Sequence, residues 1–241
     1  MLSLLILSSL IGLAPIALWL VFFLWQDIKK PEPLRWLVIL FFVGSLITPL
    51  VWFLENFFIS KIGIDATSFL PLGFSLIIYL GIAIIEELAK FAAVAFILRG
   101  NRHFDEAIDA MIYLVVLALG FGTVENILIV FQEISSQQLI LPILQITTLR
   151  FVGANLLHAL SSGIIGFYWA ISLVSGKKRY LALGLFLGIL LHWIFNAAII
   201  NLNSEVVYLA SLILFIITVF ILWAFDILKN IQKPINLNKR Q

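Results

Sequence analysis

The chain has 241 residues, of which 63% are hydrophobic and only 12% are charged, and its mean hydropathy is +1.14. A soluble domain carries about 25% charged residues, so this composition excludes an ordinary soluble protein and indicates a polytopic membrane protein. The net charge of +2 is too small to suggest a nucleic-acid partner, and the lack of cysteine excludes disulfides, thiolate metal ligands and a cysteine nucleophile.

Seven apolar segments are long enough to cross a bilayer, which takes about 20 residues. We predict all of them to be helices, because lipid offers the backbone no other hydrogen-bond partner. No linker or internal repeat divides the chain, so we predict one integral membrane domain over 1–241, with its polar motifs at about 69–200. The predicted spans are roughly 2–25, 34–58, 69–98, 107–131, 143–174, 180–200 and 206–225.

Basic residues predict the orientation of the spans. Twelve lie in or next to the loops 26–33, 99–106 and 175–179 and the C-terminal tail, whereas the alternate loops hold only Lys61. Positive charge is retained on the cytoplasmic side of a membrane. The pattern therefore predicts an all-α protein of about seven transmembrane helices, with the N-terminus outside and the C-terminus in the cytoplasm.

A small set of polar side chains lies inside the predicted spans, where a charge costs about 2.5–3.5 kcal/mol. Spans three to six each bring a carboxylate or an imidazole to a similar depth, as judged from a helix rise of about 1.5 Å per residue. We therefore expect one shared site. The set is Glu86, Glu87 and Lys90 in span three, Glu125 and Asn126 in span four, Arg150, Asn155 and His158 in span five, and His192 and Asn196 in span six.

Spacing and side-chain chemistry favour hydrolysis at this site. Glu86 and Lys90 are four residues apart and can pair, whereas Glu86 and Glu87 point about 100° apart and cannot have the same role. Two histidines with one carboxylate would match a zinc site that keeps a position open for water, and a buried glutamate can also activate water directly. The asparagines can stabilise an oxyanion. HExxH, GxSG and GxGD motifs are absent from the sequence.

The order of these motifs resembles the PrsW family of intramembrane proteases, within a wider superfamily similar to the CAAX-processing and bacteriocin-processing proteases. The motifs are Glu86-Glu87-x-x-Lys90, Phe121-x-x-x-Glu125-Asn126, Arg150 with His158 eight residues later, and His192-x-x-x-Asn196. Two departures disfavour prenyl-protein processing: Glu125 stands where that group has histidine, and Lys90 is one residue short of its arginine.

The resemblance implies a multi-pass protease of the bacterial inner membrane that cuts membrane-anchored proteins, typically anti-sigma factors. It assigns water activation to Glu86 and Glu87, and roles as metal ligands or acid/base partners to Glu125, His158 and His192. Supporting roles fall to Lys90, Asn126, Asn155, Asn196 and Arg150. Zinc-dependent and metal-free hydrolysis both remain open, and no organic cofactor is expected.

Two other classes of protein remain open from the residues alone. A proton-coupled transporter would also carry membrane acids and histidines, but strung along the membrane normal rather than clustered at one depth. A non-catalytic scaffold with the same fold would keep Glu86, Glu87 and Lys90 as a buried ion pair that fixes helix packing. Arg150 is predicted to form a structural ion pair with Glu125 or Glu55.

Overall fold

The computed structural model describes residues 6, 16–27, 30–62, 72–136, 153–200 and 204–231, and within these it is entirely helical and irregular, without strands. Residues 16–24 form helix α1, which ends in a 3-10 turn at Trp25–Asp27. The other helices are α2 (Leu34–Lys61), α3 (Leu72–Ile97), α4 (Asp109–Ser136), α5 (Ala154–Ser175), α6 (Arg179–Ile200) and α7 (Ser204–Lys229).

The helix bounds agree with the predicted spans wherever the two can be compared. In the described part of the chain, five helices are long and apolar enough to cross a membrane, namely α2, α4, α5, α6 and α7. The third predicted span also forms one continuous helix, α3, which carries two glutamates and a lysine in its second half. Residues 143–152 of the fifth predicted span, and with them Arg150, lie outside the described residues. The count of seven spans and the orientation stay predictions.

Five of the helices form a closed ring in the order α2, α4, α5, α6, α3, and α3 packs back against α2. Helix α3 also contacts α4 and α5 across the ring, and α7 packs outside on α5 and α6. Residues 107 and 108, just before α4, and residues 109–123 of α4 are all buried, as is most of α5. The two central helices are therefore shielded by the others, whereas α2, α6 and α7 expose large apolar side chains on their outer faces.

Helices α2 and α4 approach each other closely at two glycines. A Cβ atom on Gly44 would lie 2.0 Å from the carbonyl oxygen of Leu117, and one on Gly120 would lie 2.0 Å from that of Phe41. Hydroxyl groups of α2 add contacts across the same seam: Ser45 donates to the Gly120 carbonyl at 3.0 Å, and Thr48 donates to the next carbonyl along α4 at 3.2 Å. Small residues thus allow the backbones to meet, as in other membrane helix pairs.

Polar contacts join the loops at one end of the bundle. Lys30 pairs with Asp105 at 3.4 Å and with Glu106 at 2.6 Å, which links the segment before α2 to the segment before α4. Lys229, at the end of α7, lies 3.5 Å from Gln26. The structure therefore brings together three of the regions that the charge pattern assigned to a single side of the membrane.

From the close approach of α2 and α4 we predict the effect of one added methyl group. Gly120→Ala should destabilise the protein by about 1–3 kcal/mol, because the new Cβ must displace backbone rather than a flexible side chain. Thermal unfolding of the purified protein in detergent measures this change. Gly73→Ala is the matched control, since a Cβ there meets nothing within 4 Å. Equal melting temperatures for the two variants would contradict the close approach.

Candidate active site

The charged centre of the site lies on α3. The exposed fractions of Glu86, Glu87 and Lys90 are 6%, 0% and 0%. The Lys90 ammonium lies 3.0 Å from Glu86 Oε2 and 2.9 Å from Glu87 Oε1, so one cation contacts both carboxylates. The predicted pairing of Glu86 with Lys90 is confirmed. The i,i+3 and i,i+4 spacings allow both contacts to form within a single helix turn.

Lys90 also contacts His158 on α5, with 2.9 Å between Nζ and Nδ1. An ammonium has only donors, so Nδ1 of His158 accepts and Nε2 carries the ring hydrogen. Nε2 lies 2.6 Å from Glu125 Oε2 and donates to that carboxylate of α4. The ring centroid of Phe121 lies 4.4 Å from the ammonium, which adds a cation–π contact. A continuous polar chain therefore joins α3, α5 and α4.

Glu87 is fully buried and is held by donors from two other helices. His192 Nδ1 lies 2.8 Å from its Oε1, and the hydroxyl groups of Ser161 and Ser162 donate to its two oxygens at 3.1 and 3.4 Å. A carboxylate on one ring nitrogen fixes the tautomer of a histidine and leaves its second nitrogen as an acceptor. That second nitrogen, Nε2 of His192, lies 3.9 Å from Glu86 Oε1. This gap is too long for a hydrogen bond but short enough for both atoms to contact one water or ion.

A cavity of about 220 Å³ reaches the cluster from between α2, α3 and α4. Glu86 belongs both to the cavity wall and to the buried polar cluster, and Glu125 lies farther along the same wall. Glu87, in contrast, does not line the cavity. The lining residues are Thr48, Trp52 and Glu55 of α2, Glu86 of α3, and Phe121, Glu125 and Leu128 of α4.

The donor set fits a metal ion by type and by proximity. Glu86, Glu87, His158 and His192 each offer a ligand atom, and these atoms lie within 4.8 Å of one another. Carboxylate oxygen and imidazole nitrogen are the ligands that zinc takes in hydrolytic sites. This group differs from the ligand set expected from sequence, since it has the α3 glutamates in place of Glu125. The Lys90 ammonium already contacts three of the four groups, so a bound cation would have to share the glutamate oxygens with it and displace it from the lone pair of His158 Nδ1.

The asparagines divide into a paired set and a separate residue. Asn126 Nδ2 donates to Asn155 Oδ1 at 2.7 Å, which joins α4 to α5 one turn from His158. Asn155 Nδ2 is buried with no partner among the described residues. Asn196 is half-buried and lies one turn beyond His192, outside this pair. The structure thus brings two of the three predicted asparagines together and leaves the third apart.

Three residues at the site were not among those predicted from sequence. Ser161 and Ser162 follow His158 by three and four residues, so their position on the same face was available as a signal. Glu55 is a lone acid in an apolar helix, and it lines the cavity together with Glu86 and Glu125. The free-energy cost of placing a carboxylate inside a membrane span was the signal that could have identified Glu55.

Comparison with known proteins agrees with this geometry. Residues 32–225 match the model of a family described as PrsW family intramembrane metalloprotease. This match contains α2 to α6 and most of α7, and hence every described residue of the cluster and the cavity. No solved structure matches the chain at a significant level.

Curated relatives cover most of the chain. Protease PrsW of Clostridioides difficile (strain 630) is 29% identical over 238 residues, covering 96% of this chain and 92% of the relative. Protease PrsW of Oceanobacillus iheyensis is 31% identical over 196 residues, covering 80% and 83%. Protease PrsW of Bacillus subtilis (strain 168) is 25% identical over 233 residues, covering 95% and 96%. A chain with this match, these apolar helices and this buried glutamate–histidine cluster belongs to the PrsW family of intramembrane metalloproteases, and it is a multi-pass bacterial membrane protein.

Proposed function

We propose that the protein is an endopeptidase of the bacterial inner membrane that cleaves membrane-anchored protein substrates, with anti-sigma factors as the expected class. The observation that carries the proposal is the gathering of ligand atoms from Glu86, Glu87, His158 and His192 within 4.8 Å of one another, with Glu86 in the wall of a cavity. Acids and imidazoles clustered in one place suit hydrolysis better than the proton pathway of a transporter, along which they would be spread.

In the proposed reaction Glu86 activates the water. It is the carboxylate of the cluster that faces the cavity, and its Oε1 lies 3.9 Å from His192 Nε2, so a water between them contacts both atoms. Glu86 takes one proton from this water as the oxygen bonds to the scissile carbonyl carbon, and the C–N bond then breaks as the amine nitrogen is protonated. Glu87 does not reach the cavity and acts by positioning His192.

Zinc is the metal we propose for the site, where Glu86 and His192 would hold it in place of the water between them and Glu87 and His158 would be further ligands. When bound, such an ion supplies a more acidic water and a Lewis acid for the carbonyl oxygen. Glu125 would then keep its contact with His158 Nε2 and orient that ring. Asn155 Nδ2, which is buried without a partner among the described residues, is the donor we propose for the developing oxyanion.

Loss of either proposed water-binding residue should abolish cleavage. We expect Glu86→Gln and His192→Ala each to lower the rate of cleavage of a membrane-anchored reporter by at least roughly 10²-fold, because each removes one of the two atoms that hold the water. Asp226→Asn, an exposed acid on α7, is the control and should keep full activity. Full activity of folded Glu86→Gln protein would exclude the site.

Metal analysis separates zinc-dependent from metal-free chemistry. We expect the purified protein to hold about one zinc ion per chain, and His192→Ala to hold far less, because a ligand is lost. Elemental analysis before and after chelation measures this, with Asp226→Asn as the control. Chelation should also stop cleavage, and re-added zinc should restore it. Full cleavage by metal-free protein would contradict the zinc site and would support direct activation of water by Glu86.

Glu55 is proposed to donate the proton to the leaving amine, since it lines the cavity from α2 while Glu86 lies on α3. Glu55→Gln should lower kcat by roughly 10²-fold with little change in KM, and should remove the high-pH limb of the rate profile. Glu106→Gln makes the same chemical change outside the cavity and should leave the profile intact. A loss of thermal stability with an unchanged pH profile would assign Glu55 a packing role instead.

A further inference from the structure

A second pocket, of about 340 Å³, lies at the polar end of the bundle, outside the glutamate–histidine cluster. It is formed where α2 begins and where α3 ends and turns toward α4. Its size lies in the range of about 300–1,000 Å³ that small-ligand sites occupy. The polar and aromatic side chains that line it are Arg35, Trp36, Arg99, Asn101, Arg102 and His103.

The acids near this pocket bind other side chains rather than its arginines, as Glu32 does with the Tyr113 hydroxyl. Among the described residues, none of its three arginines forms an ion pair, whereas the acids that follow it in the chain, Asp105 and Glu106, pair with Lys30. All three arginines are exposed, so their guanidinium groups are available to a ligand. The pocket therefore attracts anions.

Asn101 provides an independent indication of a ligand. The residue lines the pocket and is only 7% exposed. Its Oδ1 accepts from the backbone N–H of His103 at 3.0 Å, whereas its Nδ2 is buried and has no partner among the described residues. An unpaired buried donor costs about 1–3 kcal/mol. An acceptor oxygen bound beside the arginines would satisfy it.

The chemistry of the lining selects a phosphate group. Guanidinium groups match the oxygens of phosphate in pairs, and an amide N–H adds a further donor. Basic pockets between membrane helices bind the headgroups of anionic lipids. Trp36 lies at the start of an apolar helix, where tryptophan is typical of the level of lipid headgroups. We propose that this pocket binds the phosphate of an anionic glycerophospholipid.

Helices α2 and α3 would link a lipid in this pocket to the cavity beside the glutamate–histidine cluster. Its phosphate would contact the first turn of α2 and the turn after α3, and these two helices also carry cavity residues, Thr48 and Glu86 among them. The inference does not depend on the proposed proteolysis, because lipid binding is measured without a substrate.

The test is lipid binding to the full-length protein, measured by native mass spectrometry with phosphatidylglycerol, phosphatidylcholine and inorganic phosphate as separate probes. We expect phosphatidylglycerol to bind, and its affinity to fall about fivefold for each of Arg35, Arg99 and Arg102 changed to Gln. Asn101→Asp should also weaken binding, because it keeps the Oδ1 acceptor and replaces the donor by a charge that repels phosphate. Arg179→Gln, an exposed arginine outside the pocket, is the matched control.

Three outcomes would overturn the proposal. Equal affinity for phosphatidylglycerol and phosphatidylcholine would remove the anion selectivity. An equal loss of affinity in Arg179→Gln would reduce the effect to general surface charge. Binding of inorganic phosphate without phosphatidylglycerol would make the pocket a site for a soluble anion. Thermal unfolding of each variant separates loss of binding from loss of fold.

Discussion

The rest of the site depends on the contact between the buried Lys90 ammonium and the two adjacent glutamates. Two carboxylates on one helix turn at bilayer depth would not be tolerated without a cation, since removal of one partner of a buried ion pair typically costs about 3–5 kcal/mol. Lys90 contacts Glu86, Glu87 and His158 at 2.9–3.0 Å. It therefore balances one of the two negative charges, and its contact with His158 links α3 to α5.

This cluster explains why the charged side of α3 is covered by other helices. A helix with three charges in its second half cannot face lipid on that side, so other helices pack there and α5 and α6 supply polar partners, whereas Ile77, Leu88 and Phe96 of α3 stay exposed. The partners come from their inward faces, as with Ser161 and His192, whereas the outward faces of α2 and α6 remain apolar. Close packing at Gly44 and Gly120 holds α2 near enough to α4 for a single cavity to form between them and α3.

Sequence reasoning predicted the helices and the convergence of acids with histidines, because both follow from the cost of polar groups in lipid. It did not predict which atoms meet. Lys90 was expected to pair with one glutamate, but rotamers allow its ammonium to reach three groups, including His158 on another helix. Asn196 shares the helix face of His192 but lies one turn farther along the axis, about 6 Å at a rise of about 1.5 Å per residue, so spacing alone does not place it in the cluster. The position of Glu55 in the cavity wall depends on how α2 packs against α3 and α4, which a local sequence motif does not predict.

A difference of one position along α3 separates the roles of its two glutamates. Successive residues of a helix point about 100° apart, so both side chains can reach Lys90 while only one faces the cavity. Glu87 is surrounded by donors from His192, Ser161 and Ser162, which fix its charge and geometry before any substrate enters. Glu86 shares the same ammonium but keeps one oxygen near His192 Nε2, at the cavity wall. A buried carboxylate held by several donors orients its neighbours, and a carboxylate in the cavity wall can exchange a proton with water.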